Sequence, residues 1–211
     1  MNKIQAITTI FYLLVFAISG CHTPYQPELS EDSYYTDKEK IKNDIARVAI
    51  VELANETEYP EISSQVTRQI YRELQKQQIF SIRVVNKDDP RWERLQLKDK
   101  PSYTIEELSR IYESLNQDAL LFGKVTEYKP YPHLTVGLRL KLVSLRDARL
   151  VWGFEQIWDS ENSTTERRIK KYLEKCMSSE GKTLQSELMS VSTKQFIKFA
   201  AYETASTLNP E

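Results

Sequence analysis

The sequence predicts an α/β (α+β) domain: a mixed five-stranded sheet with helices packed on it, in the order β-α-β-α-β-β-β-α-α. Three observations carry this. Apolar, β-branched runs at residues 47–54, 80–86 and 118–128 are separated by stretches whose apolar residues recur at helical spacing. Residues 134–144 and 149–159 instead alternate apolar with polar positions on either side of a short polar turn, the mark of an antiparallel hairpin with one wet face. Beyond residue 160 only helical periodicity remains. Two βαβ crossovers followed by a meander give one mixed sheet.

The N-terminal residues come first and are not part of that domain. Lys3 precedes the apolar run FYLLVFAIS, and Gly20 and Cys21 close it. A short basic start, an apolar stretch of about 7–15 residues and small residues at its end define an export signal rather than a membrane span of ~20 residues. Residues 1–20 are therefore expected to be removed. Residues 21–44 contain Pro24, Pro27 and a mixed-charge run without periodicity, and are expected to form a flexible tether. At about 5–6 Å times the square root of its length, such a tether places the domain about 25 Å from its anchor. Residues 45–211 are then a single domain, well within the usual ~100–200 residues.

Within that domain RVAIVELA (47–54) is a buried strand, broken by Asn55-Glu56-Thr57. Ile62, Val66, Ile70 and Leu74 lay one apolar stripe along a first helix. FSIRVVN (80–86) is the second strand, and Lys87-Asp88-Asp89-Pro90 opens a polar connection. Thr104 and Glu107 form a capping box at the start of a second helix, with Ile105, Leu108, Ile111 and Leu115 facing inward. DALLFGKVTEY (118–128) is the third strand, with Gly123 in its middle. Leu134, Val136, Leu138, Leu140 and Leu142 alternate with polar residues in the fourth. Leu150, Trp152, Phe154 and Trp158 lie on one side of the fifth. Ser163 and Glu166 suggest another capping box before Ile169, Leu173 and Cys176, and Phe196, Phe199 and Ala200 mark a last helix.

Composition and motifs exclude several functions. The chain has 29 basic against 30 acidic residues, no concentrated basic surface and hence no case for nucleic acid. Of two histidines, His22 sits beside Cys21 and His133 in a Pro-flanked turn, so no metal cluster with ligand spacing exists. Gly181-Lys182-Thr183 imitates the end of a phosphate loop, but Cys176 stands where its first glycine belongs. Glu106, Glu107 and Glu155 are scattered carboxylates. No cofactor, metal or catalytic constellation is expected, and the reading is of a protein that is not an enzyme. The candidate partner-binding residues are Trp158, with Arg139, Lys141 and Arg149 as a polar rim, since an aromatic ringed by cations on an uncovered sheet end makes an interaction patch. The alternative for Trp152, Phe154 and Trp158 is plain core.

Two resemblances add to this. Ile18-Ser19-Gly20-Cys21 resembles a bacterial lipobox, which implies that Cys21 carries the lipid acyl chains and becomes the first residue. Cys176 then has no intrachain partner. His22, rather than Asp, follows Cys21; by the enteric sorting rule this implies the outer membrane, with the domain facing the periplasm. Residues 46–160 resemble the periplasmic domain shared by the curli-secretion lipoprotein CsgG, the penicillin-binding-protein activator LpoB and the N-terminal part of TolB-like proteins. The resemblance is carried by Arg47-Val48-Ala49-Ile50-Val51-Glu52-Leu53 before Asn55-Glu56-Thr57, by Ile79-Phe80-Ser81-Ile82-Arg83-Val84-Val85, by Ala119-Leu120-Leu121-Phe122-Gly123-Lys124-Val125 and by the hairpin through Asp147 to Leu150-Val151-Trp152. The hairpin turn has Asp147-Ala148 where such proteins usually carry Thr-Gly, and residues 129–133 are too short for the membrane hairpins of the pore-forming member. The resemblance implies a lipid-anchored, non-catalytic lipoprotein that binds an envelope protein and recruits or regulates a cell-envelope machine. The alternative is a homo-oligomeric scaffold of a secretion-type complex.

Overall fold

The computed structural model describes residues 33–97, 100, 102–176 and 192–209. In chain order they form β1 (Tyr34–Thr36), α1 (Lys38–Asp44), β2 (Arg47–Val51), β3 (Ala54–Asn55), α2 (Ile62–Gln77), β4 (Ser81–Val85), α3 (Pro90–Arg94), α4 (Ile105–Leu115), β5 (Ala119–Lys129), β6 (Thr135–Ser144), β7 (Leu150–Asp159), α5 (Ser163–Cys176) and α6 (Thr193–Ser206). The mixed α/β class and the helices packed on a sheet are as the sequence predicts. The five-stranded sheet is not. The sheet has seven strands, ordered β1-β7-β6-β5-β2-β4 with β3 beside β5.

Both extra strands have a local cause. Tyr34–Thr36 pairs antiparallel with Phe154, Gly153 and Trp152, and Asp37 caps the helix that follows by accepting from the Lys40 N–H at 3.0 Å. Tyr34–Asp44, expected as part of a flexible tether over 21–44, instead holds a strand and a helix, because Tyr34–Thr36 finds its partner in β7 and Asp37 caps the helix that follows. β3 arises because β2 does not simply stop. The Glu52 N–H donates to Val85 O at 3.0 Å and the Leu53 N–H to Thr67 Oγ1 at 3.0 Å, after which Ala54 and Asn55 pair with Lys124 and Val125.

The sheet has two unlike halves. β4, β2 and β5 run parallel, and β5, β6, β7 and β1 antiparallel. In β2, Val48 and Ile50 join one core and Ala49 and Val51 another, so this strand is apolar on both faces. The larger core lies under α1, α2, α5 and α6, where the stripe Ile62, Val66, Ile70 and Leu74 is buried as its spacing predicts. The smaller core is closed by α3 and α4 through Trp92, Leu97, Leu108, Ile111 and Leu115. The capping box Thr104–Glu107 is present, whereas Ile105 is 69 % exposed and not part of the inward stripe. At the start of α5, Asn162 rather than Ser163 is the capping side chain, since its Oδ1 accepts from the Thr164 N–H at 2.9 Å.

Three features fix the joints. Gly123 has φ +154, and a Cβ there would stand 2.1 Å from Arg139 O and 2.8 Å from Leu140 Cα, so β5 and β6 approach too closely for any side chain at this position. Ala148, in the β6–β7 turn, has φ 56, a left-handed conformation that usually calls for glycine. Asp118 ties the amino ends of β2 and β5 together: it accepts from the Arg47 N–H at 2.9 Å, from the Arg47 guanidinium at 3.1 Å and from Arg146 at 3.1 Å.

Candidate functional site

The residues singled out in the sequence part into two groups. Trp152, Phe154 and Trp158 stack in a row along β7, with ring centroids 5.5 and 5.9 Å apart. They lie on the face that α5 and α6 cover. Trp158 is fully buried and its Nε1 donates to Glu203 Oε2 at 2.6 Å; Trp152 Nε1 donates to Thr207 Oγ1 at 3.0 Å. Glu203 is itself fully buried and is bracketed by Arg168, whose Nε donates to Oε1 at 2.9 Å and whose Nη2 reaches Oε2. Trp158 is thus a core residue and offers no surface to a partner, because the helices that follow residue 160 close over that end of the sheet.

The other face of β6 and β7, beyond the part of β5 where Leu120 and Phe122 join the smaller core, carries no helix among the described residues. Arg139 and Lys141 lie there, and the cross-strand register sets Arg139 between Glu155 on β7 and Lys124 on β5. Arg139 pairs with Glu155, and Lys124 with Glu56. The hydrogen bond from Arg139 is the main cause that holds the Glu155 carboxyl below its ordinary range. Tyr35 and Ile157, each 53 % exposed, flank this charged strip. Arg149 is not part of it: the residue sits at the hairpin turn beside Asp147, which Lys40 also contacts at 2.6 Å. His133 Nδ1 lies 2.7 Å from Glu161 Oε1 in an exposed turn. The lipobox residues Ile18, Ser19, Gly20 and Cys21, the Cys176 side chain and Gly181-Lys182-Thr183 lie outside the described residues.

A second site follows from topology. β2 leads through α2, on one face, to β4 on one side. β4 leads through α3 and α4, on the opposite face, to β5 on the other side. The strand order therefore reverses at β2, and such a switch point opens a crevice outside the carboxyl ends of the parallel strands. A cavity of about 320 Å³ is found there, lined by Val51, Trp92, Leu97, Tyr103 and Phe122 with Gly123 at its rim. Tyr103 meets Phe122 edge-on at 4.9 Å, and Lys100 lies over the Tyr103 ring. Lys100 also binds Glu107 and is the largest cause that lowers the Glu107 carboxyl. Glu52 closes the cavity's floor, its Oε2 accepting from the Lys87 N–H at 3.1 Å and its Oε1 standing 3.4 Å from Lys87 Nζ. A groove of about 590 Å³ continues from Glu52 and Lys87 along α2.

Among the described residues that line the cavity the one acid, Glu52, is buried and engaged by Lys87, Lys100 is paired with Glu107, and there is no histidine, cysteine or serine. Among the described residues no three His, Cys, Asp or Glu side chains converge as metal ligands, and no helix is long and apolar enough to cross a membrane. Reasoning from residues missed the crevice because its walls come from four separate segments. The order β-α-β-α-β, already legible, was the signal that could have located it.

No protein-family model matches the chain, and no curated protein does. Among solved structures it is similar to the PelC dodecamer from Paraburkholderia phytofirmans, with 16 % identity over 75 % of this chain and 93 % of that chain at a TM-score of 0.44. It is also similar to the lipoprotein GNA1162 from Neisseria meningitidis, with 18 % identity over 72 % and 96 % of the two chains at 0.42. A third likeness is to the C-terminal domain of LpoB from Salmonella enterica, with 12 % identity over 57 % and 89 % at 0.38.

Proposed function

We propose that this chain is a lipid-anchored, non-catalytic envelope lipoprotein that binds a periplasmic protein and recruits or regulates a cell-envelope machine: a cell-wall synthase, a secretion system or a surface-structure assembly. The observation that carries the reading is the run FYLLVFAISGC, in which Ile18, Ser19 and Gly20 stand before Cys21. It is supported by a domain whose crevice holds no free acid, base or nucleophile among the described residues, and whose antiparallel strands leave a charged strip uncovered. His22 after Cys21 favours the outer membrane as the anchor's destination.

Two measurements test it. Cells fed labelled palmitate should mark the wild-type chain and not Cys21→Ala, and fractionation should find the label in the outer membrane. A photo-crosslinker in place of Lys141, on the open face, should trap a discrete envelope protein in a Cys21-dependent way. An unlabelled chain, or crosslinks no different from those of Cys21→Ala, would overturn the reading. Light scattering separates it from the scaffold alternative, which requires a stable homo-oligomer.

A further inference from the structure

β4 ends the sheet on the side away from the hairpin, and its outer edge is unoccupied among the described residues. The Ser81 N–H donates to Ala46 O at 2.8 Å and Val85 O accepts from the Glu52 N–H at 3.0 Å, so the odd-numbered residues of β4 face β2. Ile82 and Val84 must then point both N–H and C=O away from the sheet. Their side chains are half-buried against the larger core, on the face that α2 covers. The 590 Å³ groove runs between this edge and α2, where Ser64, Arg68 and Tyr71 line one wall and Val84 and Asp88 the other. An edge strand beside a helix, with paired donors and acceptors and an apolar floor, is the geometry that takes up an extended peptide as one more strand.

Charge narrows the occupant. Arg68, Arg83 and Glu61 are exposed, and among the described residues no ion pair engages them or Asp88. Arg83 lies on the opposite face of β4 from Ile82 and Val84, because its neighbour in register is Ala49 of the smaller core. Cations therefore flank the middle of the edge and carboxylates its carboxyl end. A second copy is disfavoured: the antiparallel self-pairing that uses all five residues sets Arg83 against Arg83, and like charges directly opposite destabilise a strand pair.

We propose that the β4 edge and α2 form a strand-addition site for an extended segment of a partner protein. That segment carries an apolar–acidic–apolar core, its acid beside Arg83 on one face of the sheet and its apolar residues on Ile82, Val84 and Tyr71 on the other, with a basic residue at the end near Glu61 and Asp88. The inference rests on the proposed binding role and adds to it a second contact, away from the open face. The two fail separately: an edge that takes up no peptide leaves the palmitate label and the Lys141 crosslinks intact.

The full chain, purified in detergent, is panned against a displayed library of random nonapeptides. Enriched peptides should share the apolar–acidic–apolar core, slow amide exchange at Ile82 and Val84 at least tenfold, and lose at least tenfold in affinity on Val84→Pro. That substitution removes an outward N–H, which an edge strand tolerates. Arg83→Glu, at an exposed strand position, should weaken the same peptides and strengthen versions with Lys in the acidic position, and it stands even if Val84→Pro fails to fold. No enrichment over the naive pool, peptides indifferent to Arg83→Glu, or protection that bypasses Ile82 and Val84 would overturn the proposal. So would a dimer that Val84→Pro dissolves.

Discussion

The parallel and antiparallel halves of this sheet bury themselves differently. β2 is covered on both faces, and reads RVAIV with nothing polar after its first residue. β6 is covered on one, and reads Leu138-Arg139-Leu140-Lys141-Leu142, every second residue left to water or to ion pairs. What the one-sided half lacks in a second apolar layer it makes up on its covered face, where three stacked aromatics lie under two helices fixed by a buried ion pair. Stability in that half is thus concentrated on one side, and the exposed charged pair of the other, Arg139 and Glu155, adds little to it.

The largest break of this comparison is at Glu203. Its carboxylate is fully buried and satisfies both Arg168 and the indole of Trp158. Glu203→Ala leaves a buried guanidinium with no counter-charge and should cost about 3–5 kcal/mol, as removing one partner of a buried pair does. Urea unfolding would show it, and Arg168→Met combined with Glu203→Leu should recover most of the loss, because an apolar pair of similar volume needs no compensation. Next is Gly123, on the strand both halves share. A Cβ 2.1 Å from Arg139 O at φ +154 forces β5 and β6 apart, so Gly123→Ala should cost about 2–3 kcal/mol. An unchanged unfolding midpoint would mean that the strands part easily at this point.

These two residues also mark what could be read from sequence. The apolar stripes of α2, the capping box of α4 and the alternation of β6 are local patterns, and each was legible because one element's own spacing expresses it. Gly123 was visible as a glycine within a strand, though only the neighbouring strand's backbone explains it. Glu203 and Arg168 were not legible at all. Thirty-five residues separate them, and nothing in either helix's periodicity says that two charged residues face inward together. Tyr34–Thr36 went unread for the same reason: three residues carry no period, and their partner Phe154 lies far along the chain. Arg139 and Lys141 share the open face because they are two residues apart on one strand, whereas Arg149 falls past the end of that pattern, in the turn.

Asp118 tests the seam. Burial pushes its carboxyl up, but hydrogen bonds from Arg47 and from the N–H groups of Ala46 and Arg47, with the Arg47 charge, more than reverse this and hold it below its ordinary value. A folded pKa below the unfolded one, near 3.9, adds stability that is complete above that value and is lost as pH falls through the folded pKa. Melting temperature should therefore drop between about pH 4 and more acidic values in the wild type, and Asp118→Asn should flatten that acid limb while costing about 2 kcal/mol at neutral pH, because it breaks charge-assisted bonds to both halves. An acid limb identical in the two proteins would place the titration elsewhere.

The smallest effect on folding is expected where the effect on function is greatest. Arg139 is exposed, its partner Glu155 is exposed too, and surface pairs of this kind contribute little because water solvates the separated charges almost as well. Arg139→Glu should leave the urea midpoint where it was. It also sets a carboxylate against Glu155 on β7 and leaves on the other side only Lys124, which Glu56 already engages. If the open face meets the partner, crosslinking from position 141 should fall several-fold in Arg139→Glu, since rim charges govern encounter more than they hold a complex. Exchanging the pair, Arg139→Glu with Glu155→Arg, should restore it, because the strip then keeps its composition. Crosslinks that survive the single substitution would move the contact off this face, and the uncovered side of the antiparallel half would then be an ordinary solvated surface.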